Sequence, residues 1–410
     1  MSSLPLLLRG GRVLRTGSAR PENIDVVIGA DGRIVRLGSI LPPPDGATVI
    51  DLAGRLVSPA FVDVHQHLDK TRTLRDVPNP SGTLAGAIAA FNEYAATISQ
   101  EDLTRRADRT LASCLARGTV AIRTHTNVDP VLKVRAVEML VALRERWRQR
   151  ITIQVVAFVT AGATQMGSGA KSWLDGAIRA GADVVGGTPA ISDDPHAFLD
   201  MLFDAAEKNG LPLDLHLDEH LDAHRQLFDA VITRTKARKM HGRVAVGHCS
   251  ALSAMAPDEA RRVIDGFAQA NIAVITLPTA NLYLQGRDAD ILPPRGLTRV
   301  RELIQSGVQV AAATDNIQDP FVPIGTGDML EIARLTLIAG HLGAADLGKA
   351  FAMVTQAPAR IMGFGDNYGV HEGARADLVV SDAEDAEDLV ASGPPLHGVL
   401  MAGRSVFGTL

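Results

Sequence analysis

The sequence predicts a (β/α)8 barrel carrying a small β-sandwich assembled from both ends of the chain. Three observations carry that expectation. Eight short apolar runs recur through the middle of the chain, stretches with apolar residues at helical spacing separate them, and both ends read instead as short strands and tight turns.

Taken in order, residues 5 to 56 contain "LLLRGGRVL", "IDVVIGADGRIVRLGS" and "ATVIDLAGRLV". The "ADG" between two alternating runs is a hairpin signal. The same style returns near the end as "RADLVVSDA" and "GVLMAGRSVFG". Both ends therefore belong to one unit, with expected bounds 1–56 plus 366–410, leaving 57–365 for the barrel. Within the barrel the runs are "FVDVHQH", "VAIRTHTN", "TIQVVAF", "DVVGGTPA", "PLDLHLDE", "VAVGHCS", "AVITLPT" and "QVAAATDN". Segments such as "DPVLKVRAVEMLVALRERW" and "DAHRQLFDAVITRTKARKM" alternate with them and carry a helical apolar period.

Composition narrows the function classes. The 410 residues are 46% hydrophobic and 21% charged, a balance that can bury a large core. Lys and Arg total 41 against 46 Asp and Glu, with no basic stripe, so nucleic acid is not an expected partner. No run of about 18 apolar residues occurs, so no membrane span is expected. The two cysteines, Cys114 and Cys249, make no disulfide framework, and "MSSLPLLLRGGRVLR" lacks the parts of a secretory signal. The expected location is the cytoplasm.

Chemistry in such barrels sits at the C-terminal ends of the strands. His65 and His67 lie two residues apart in "FVDVHQHLD", so an extended chain turns both imidazoles to one side. The fifth run ends in His216 with Glu219 just beyond, the sixth in His248, and the eighth in Asp315. Each of these alone reads equally well as a hydrogen-bonded residue at a strand end. Together, His65, His67, His216 and Asp315 offer three neutral nitrogen donors and a carboxylate, which suits Zn²⁺ or Fe²⁺. His125 occupies a similar position and reads as support, and Asp218, His220 and His224 near the fifth run read as framework or solvated residues. The fourth run, "DVVGGTPA", has no lysine to bridge two metals, which favours a single ion. No phosphate-cradling glycine loop stands between a strand and a helix, so nucleotide hydrolysis and hydride transfer lack their apparatus.

"FVDVHQHLD", "HLDE", "GHCSA" and "TDNIQDPF", in this order on a barrel flanked by two β-rich ends, resemble the amidohydrolase superfamily. "SGTLAGAI", "IQVVAF", "GADVVGG", "LYLQGR", "RGLTRVREL" and "DPFVPIGTGDML" resemble its cytosine deaminase branch. The resemblance implies a hydrolase of non-peptide carbon–nitrogen bonds with one divalent ion, Zn²⁺ or Fe²⁺, held by His65, His67, His216 and Asp315. It implies release of ammonia from an aminated pyrimidine, triazine or pterin-like ring after attack by metal-bound hydroxide. Glu219 would protonate the ring nitrogen, His248 would hydrogen-bond the hydroxide, Asp315 would relay its proton, and Gln154 would hold the ring's amide edge. A homo-oligomer acting on a small molecule is implied as well. Three positions depart from the pyrimidine enzymes and bear on substrate. Asn316 replaces a second acid, Phe321 replaces a tryptophan, and Lys70 replaces a small polar residue, favouring with Arg72 an anionic or carbonyl-rich ligand. Opening of a cyclic amide, imide or lactone by the same site is the alternative reaction.

Overall fold

The computed structural model describes residues 4–18, 20–160 and 169–410. The eight apolar runs become eight parallel strands. These are β6 (Phe61–Gln66), β7 (Thr119–Val128), β8 (Thr152–Val159), β9 (Val184–Gly187), β10 (Leu213–Leu217), β11 (Val244–His248), β12 (Ala273–Thr276) and β13 (Val310–Ala312). They pair in sequence order, and a parallel bridge between Gln66 and Asp315 brings the last strand back to the first. The Asp315 N–H donates to the His65 carbonyl at 2.9 Å across this seam. The result is a (β/α)8 barrel.

Helices return the chain between strands, and their ends follow from local chemistry. Ser99 caps Gln100–Ala116 by accepting from the Asp102 N–H, and Leu103, Ala107, Leu111 and Cys114 form the buried stripe. Asp194 caps Pro195–Asn209, which ends at Gly210 with a φ of 65° that glycine tolerates. The two segments with helical apolar period give Arg135–Trp147 and Phe228–Ala237.

Both ends of the chain join one sheet. β1 (Leu6–Val13), β2 (Glu22–Ile28), β3 (Ile34–Gly38), β4 (Thr48–Asp51) and β5 (Leu56–Pro59) meet β14 (Leu378–Ser381), β15 (Leu396–Met401) and β16 (Arg404–Gly408). The "ADG" turn links β2 to β3 in antiparallel register. β5 is the join: it runs parallel to β1 and antiparallel to β14. A core of Leu8, Val26, Ile28, Val57, Leu378, Val380 and Leu400 draws on both ends at once.

Removing residues 371–410 deletes three strands and strips Leu56 and Val57, both fully buried, of the partner that covers them. The unpaired edge of β5 then invites association between chains. The expected outcome is loss of soluble protein and high-mass scattering in the remainder. A monodisperse, active truncation would show the tail to be dispensable.

Candidate active site

Four strand ends deliver the polar cluster. His65 lies in β6 and His67 follows its end, His216 lies in β10, His248 closes β11, and Asp315 stands just past β13. His248 and Asp315 leave their strands with φ of 65° and 62°, a left-handed conformation that costs a non-glycine residue about 1 kcal/mol or more. Strain at two strand ends that face one cavity is the kind of irregularity that functional sites retain. Gly247 before His248 has a packing reason: a Cβ there would sit 3.1 Å from the His65 ring.

The contacts inside the cluster are close. His216 Nε2 lies 3.2 Å from His65 Nε2 and 3.2 Å from His67 Nε2. Asp315 Oδ1 is 3.2 Å from His67 Nε2 and 3.6 Å from His65 Nε2. All four side chains are buried, and Asp315 Oδ1 has no hydrogen-bond donor. Donor atoms at the corners of a tetrahedron with arms of about 2.05 Å are about 3.3 Å apart. Three imidazole nitrogens and a carboxylate oxygen at that spacing form a His/Asp site able to hold a divalent metal. Burial, reinforced by neighbouring cationic and imidazole groups, holds the His65, His67 and His216 pKa values well below the ordinary histidine range. Neutral imidazoles are what a metal requires. His67 Nδ1 donates to the His125 carbonyl at 3.0 Å, which turns Nε2 toward the cluster.

Around this cluster lies a cavity of about 230 Å³. His67, His216, Glu219, His248 and Asp315 face it, as do Lys70, Asn316 and Phe321. Glu219 is 14% exposed, and its Oε1 stands 3.4 Å from His248 Nδ1. Burial, with the nearby Asp315 carboxylate, pushes the Glu219 pKa well above the usual carboxylate range. Burial also lowers the His248 pKa to about 4 against the pull of Asp315, so His248 is neutral at pH 7. Asn281 Nδ2 lies 3.1 Å from His248 Nδ1. With that amide as donor, Nδ1 accepts and the His248 proton resides on Nε2, 4.0 Å from Asp315 Oδ2.

Gln154 is not in this cavity. It is the third residue of β8, and its Oε1 accepts from Arg123 Nε and a terminal Arg123 nitrogen at 3.1 and 3.0 Å. Its Nε2 donates to the Met362 carbonyl at 2.9 Å. At about 3.3 Å per residue, it lies about 13 Å down the strand from Phe158. The expectation that Gln154 holds the ring is therefore corrected. Gln154, Phe158 and Thr160 share the inward alternation, and Phe158 and Thr160 are the two that reach the cavity.

Residues 48–136 and 79–407 match the Amidohydro_3 amidohydrolase family. The chain is an amidohydrolase. Over 385 residues, 93% of this amidohydrolase and 87% of the relative, it is 32% identical to a pterin deaminase of Rhizobium rhizogenes. In structure it is similar to 5-methylcytosine deaminase from Klebsiella pneumoniae liganded with 5-fluorocytosine, with TM-score 0.89, 29% identity and 98% of each chain covered. It is also similar to N-isopropylammelide isopropylaminohydrolase from Burkholderia multivorans, with TM-score 0.84, 32% identity and 98% of each chain covered.

Several residues of the amidohydrolase site carried no separate signal in the sequence. Phe158 tilts against the His216 ring with centroids 4.2 Å apart. Asp319 accepts from Asn316 Nδ2 at 2.6 Å and from the Phe321 N–H at 2.9 Å, fixing two cavity residues together. Burial raises the Asp319 pKa to about 7. Beneath the cluster, Asp214 pairs with Arg123 at 2.7 Å and lies 3.3 Å from His125 Nε2. Burial alone would raise the Asp214 pKa, but His125 and Arg123 hold it below the usual range.

His65, His125 and Asp214 also lie close enough together to suggest a second ion. The His65 and His125 rings stack at 3.9 Å and 27°. Stacked rings cannot both direct in-plane lone pairs at one ion, and Arg123 holds Asp214 Oδ2. The group is a support for the cluster above it. Among the described residues no helix is long and apolar enough to cross a membrane.

Proposed function

We infer that this amidohydrolase deaminates an aminated nitrogen heterocycle by hydrolysis, using one divalent metal ion, Zn²⁺ or Fe²⁺. The observation that carries the reading is Glu219, a largely buried acid with a raised pKa beside a three-histidine, one-aspartate cluster. Relatives named as pterin, 5-methylcytosine and isopropylammelide hydrolases support it.

His65, His67, His216 and Asp315 Oδ1 would hold the ion. A looser grouping takes His248 in place of His67. The 3.2 Å contacts of His67 with both His216 and Asp315 favour His67. When bound, the metal lowers the pKa of water and supplies hydroxide near neutral pH.

The side chains manage the protons. Glu219 donates to the ring nitrogen next to the attacked carbon, so negative charge does not build there. Asp315 Oδ2, the oxygen turned away from His67, accepts the proton of the attacking water. The Nε2–H of His248 orients the attacking oxygen. The carbon–nitrogen bond then breaks, the amine leaves as ammonia with the relayed proton, the second proton of the water returns to Glu219, and a ring carbonyl remains. Phe158 and Phe321 offer apolar surface to a flat ring, and Asn316 and Lys70 meet its polar edge. We also propose that 1–56 with 366–410 form one unit and 57–365 the barrel, except that 57–59 go with the first unit because Leu56–Pro59 pairs with β14.

The test is ammonia release by metal-loaded enzyme from a panel of aminated pyrimidines, triazines and pteridines, run beside ring opening of cyclic amides, imides and lactones. Ammonia from at least one aminated ring, with no ring opening, is expected. Ring opening without ammonia would replace this reading with the alternative hydrolysis.

A further inference from the structure

A second cavity opens at the other end of the barrel, where the strands begin. Its volume is about 250 Å³, and it shares no lining residue with the cavity around the metal cluster. β10 and β11 show the separation. Leu213 and Val244, which open these strands, line the floor cavity, while His216 and His248 near their far ends line the first. No step of the proposed deamination uses this floor.

Small residues make the space. Ala245 and Ala273 belong to the inward core of the barrel, where bulky branched side chains usually stand. Both line the cavity and keep 3% and 8% exposure. The helix Gln356–Ile361 and Met362 pack against that core from below, and Ile361 and Met362 form the opposite apolar wall. The gap exceeds the roughly 150 Å³ that takes up a benzene in a protein interior.

The polar lining is one-sided. Arg123, Arg243 and Arg360 line the cavity with the amides of Asn271 and Gln309, and among the described residues no acid does. Arg123 is buried and paired with Asp214, so one of the three charges is balanced. Four of its five N–H groups have acceptors in Gln154, Asp214 and the Ile361 carbonyl, which leaves one over. Arg243 donates to the Leu211 carbonyl, and neither it nor Arg360 has an ion-pair partner among the described residues. Arginines on the outer helices differ: Arg144, Arg234, Arg238 and Arg262 each pair with an aspartate. The chain as a whole has a formal charge of −5, so the acid-free group of arginines is a local feature. A guanidinium fork matches two oxygens of a carboxylate or phosphate.

We propose that the barrel floor is a second ligand site and that it binds a small organic anion. The apolar body lies against Ala245, Ala273 and Met362, and its carboxylate or phosphate group is held by Arg243 and Arg360. A neutral ring makes the apolar contact but leaves the guanidiniums without a counter-charge. An inorganic oxyanion does the reverse.

Calorimetry on metal-loaded full-length protein tests this with benzoate, phenyl phosphate, inorganic phosphate and neutral benzamide. The variants are Arg360→Gln and the double variant Arg243→Gln/Arg360→Gln. Both arginines are exposed, so neither substitution opens the core, and metal content and melting temperature check each variant. Wild type is expected to bind benzoate or phenyl phosphate at least about 10-fold more tightly than benzamide or inorganic phosphate. The tighter of the two organic anions identifies the head group. The double variant is expected to lose that binding by about 10-fold or more at unchanged metal content, with Arg360→Gln in between.

Binding that persists undiminished in the double variant would place the anion in the metal cavity and overturn the proposal. Equal affinity for benzamide would reduce the floor to an apolar void, and equal affinity for inorganic phosphate would remove the organic body. Failure of wild type to take up either organic anion at millimolar concentration would overturn it without any variant. Binding is read here and not turnover, so these outcomes are separate from the fate of the deaminase reading.

Discussion

Glu219→Gln is expected to lower turnover by about 10²–10⁴-fold while metal content and ring affinity stay near wild type. The variant keeps the shape of the side chain and a hydrogen bond but cannot give up a proton and take it back. In wild type, burial raises the Glu219 pKa, so the protonated acid persists toward neutral pH. Its alkaline limb in the kcat profile, where that proton is lost, should be missing from the variant's residual activity.

The same shift predicts the effect on stability. The unfolded carboxyl loses its proton near its ordinary pKa while the folded one still holds it. Between those two values the folded state binds more protons, so stability falls as pH rises, and it stays low above the folded pKa. Replacing the acid with a neutral amide removes that penalty. The metal-free variant should therefore melt at or above the wild-type temperature at pH 7 and show no advantage well below the unfolded pKa. Near-normal turnover in Glu219→Gln would remove Glu219 from the mechanism. Loss of metal instead would make it a ligand.

His67→Ala and Asp315→Asn should divide metal binding from proton relay. Elemental analysis of wild type is expected to find about one divalent ion per chain. His67→Ala removes the nitrogen that sits 3.2 Å from both His216 Nε2 and Asp315 Oδ1. Metal and activity should be lost together, by more than the ~10–100-fold typical of residues that only support a ligand. Asp315→Asn removes an anionic donor and the proposed proton acceptor at once. It should weaken metal binding and remain slow even when metal is restored in excess. His248→Asn should keep its ion, because the His248 contact with Asp315 is 4.0 Å and the closer four-donor set survives. Two equivalents of metal in active wild type, or full activity after exhaustive chelation, would defeat the single-ion reading.

Much of this architecture is written locally. Strand and helix periods differ enough that all eight barrel runs were recognisable. His65 and His67 were legible because alternation alone puts them on one side of an extended chain. The ends of the chain announced strands and turns, and β5 with β14 realises their union. Gln154 marks where that kind of reading stops. Periodicity repeats identically along β8 and carries no information about which end of the strand a residue occupies. Packing decided that, by setting Gln154 against Arg123 and the Met362 carbonyl.

Asp319, Asn281 and Asp214 were invisible for a related reason. Each matters through a partner that is distant in sequence or bent back by a loop, as with Asn281 and His248, 33 residues apart. The sequence by itself determined the elements, their inward faces and the stock of nitrogen and carboxylate donors, since these depend on neighbours along the chain. Only the tertiary structure decided which donor atoms stand 3.2 Å apart and which sequence-distant side chains support them. Those outcomes depend on strand stagger, left-handed strand exits and the exclusion of water, which exist only once the barrel has closed.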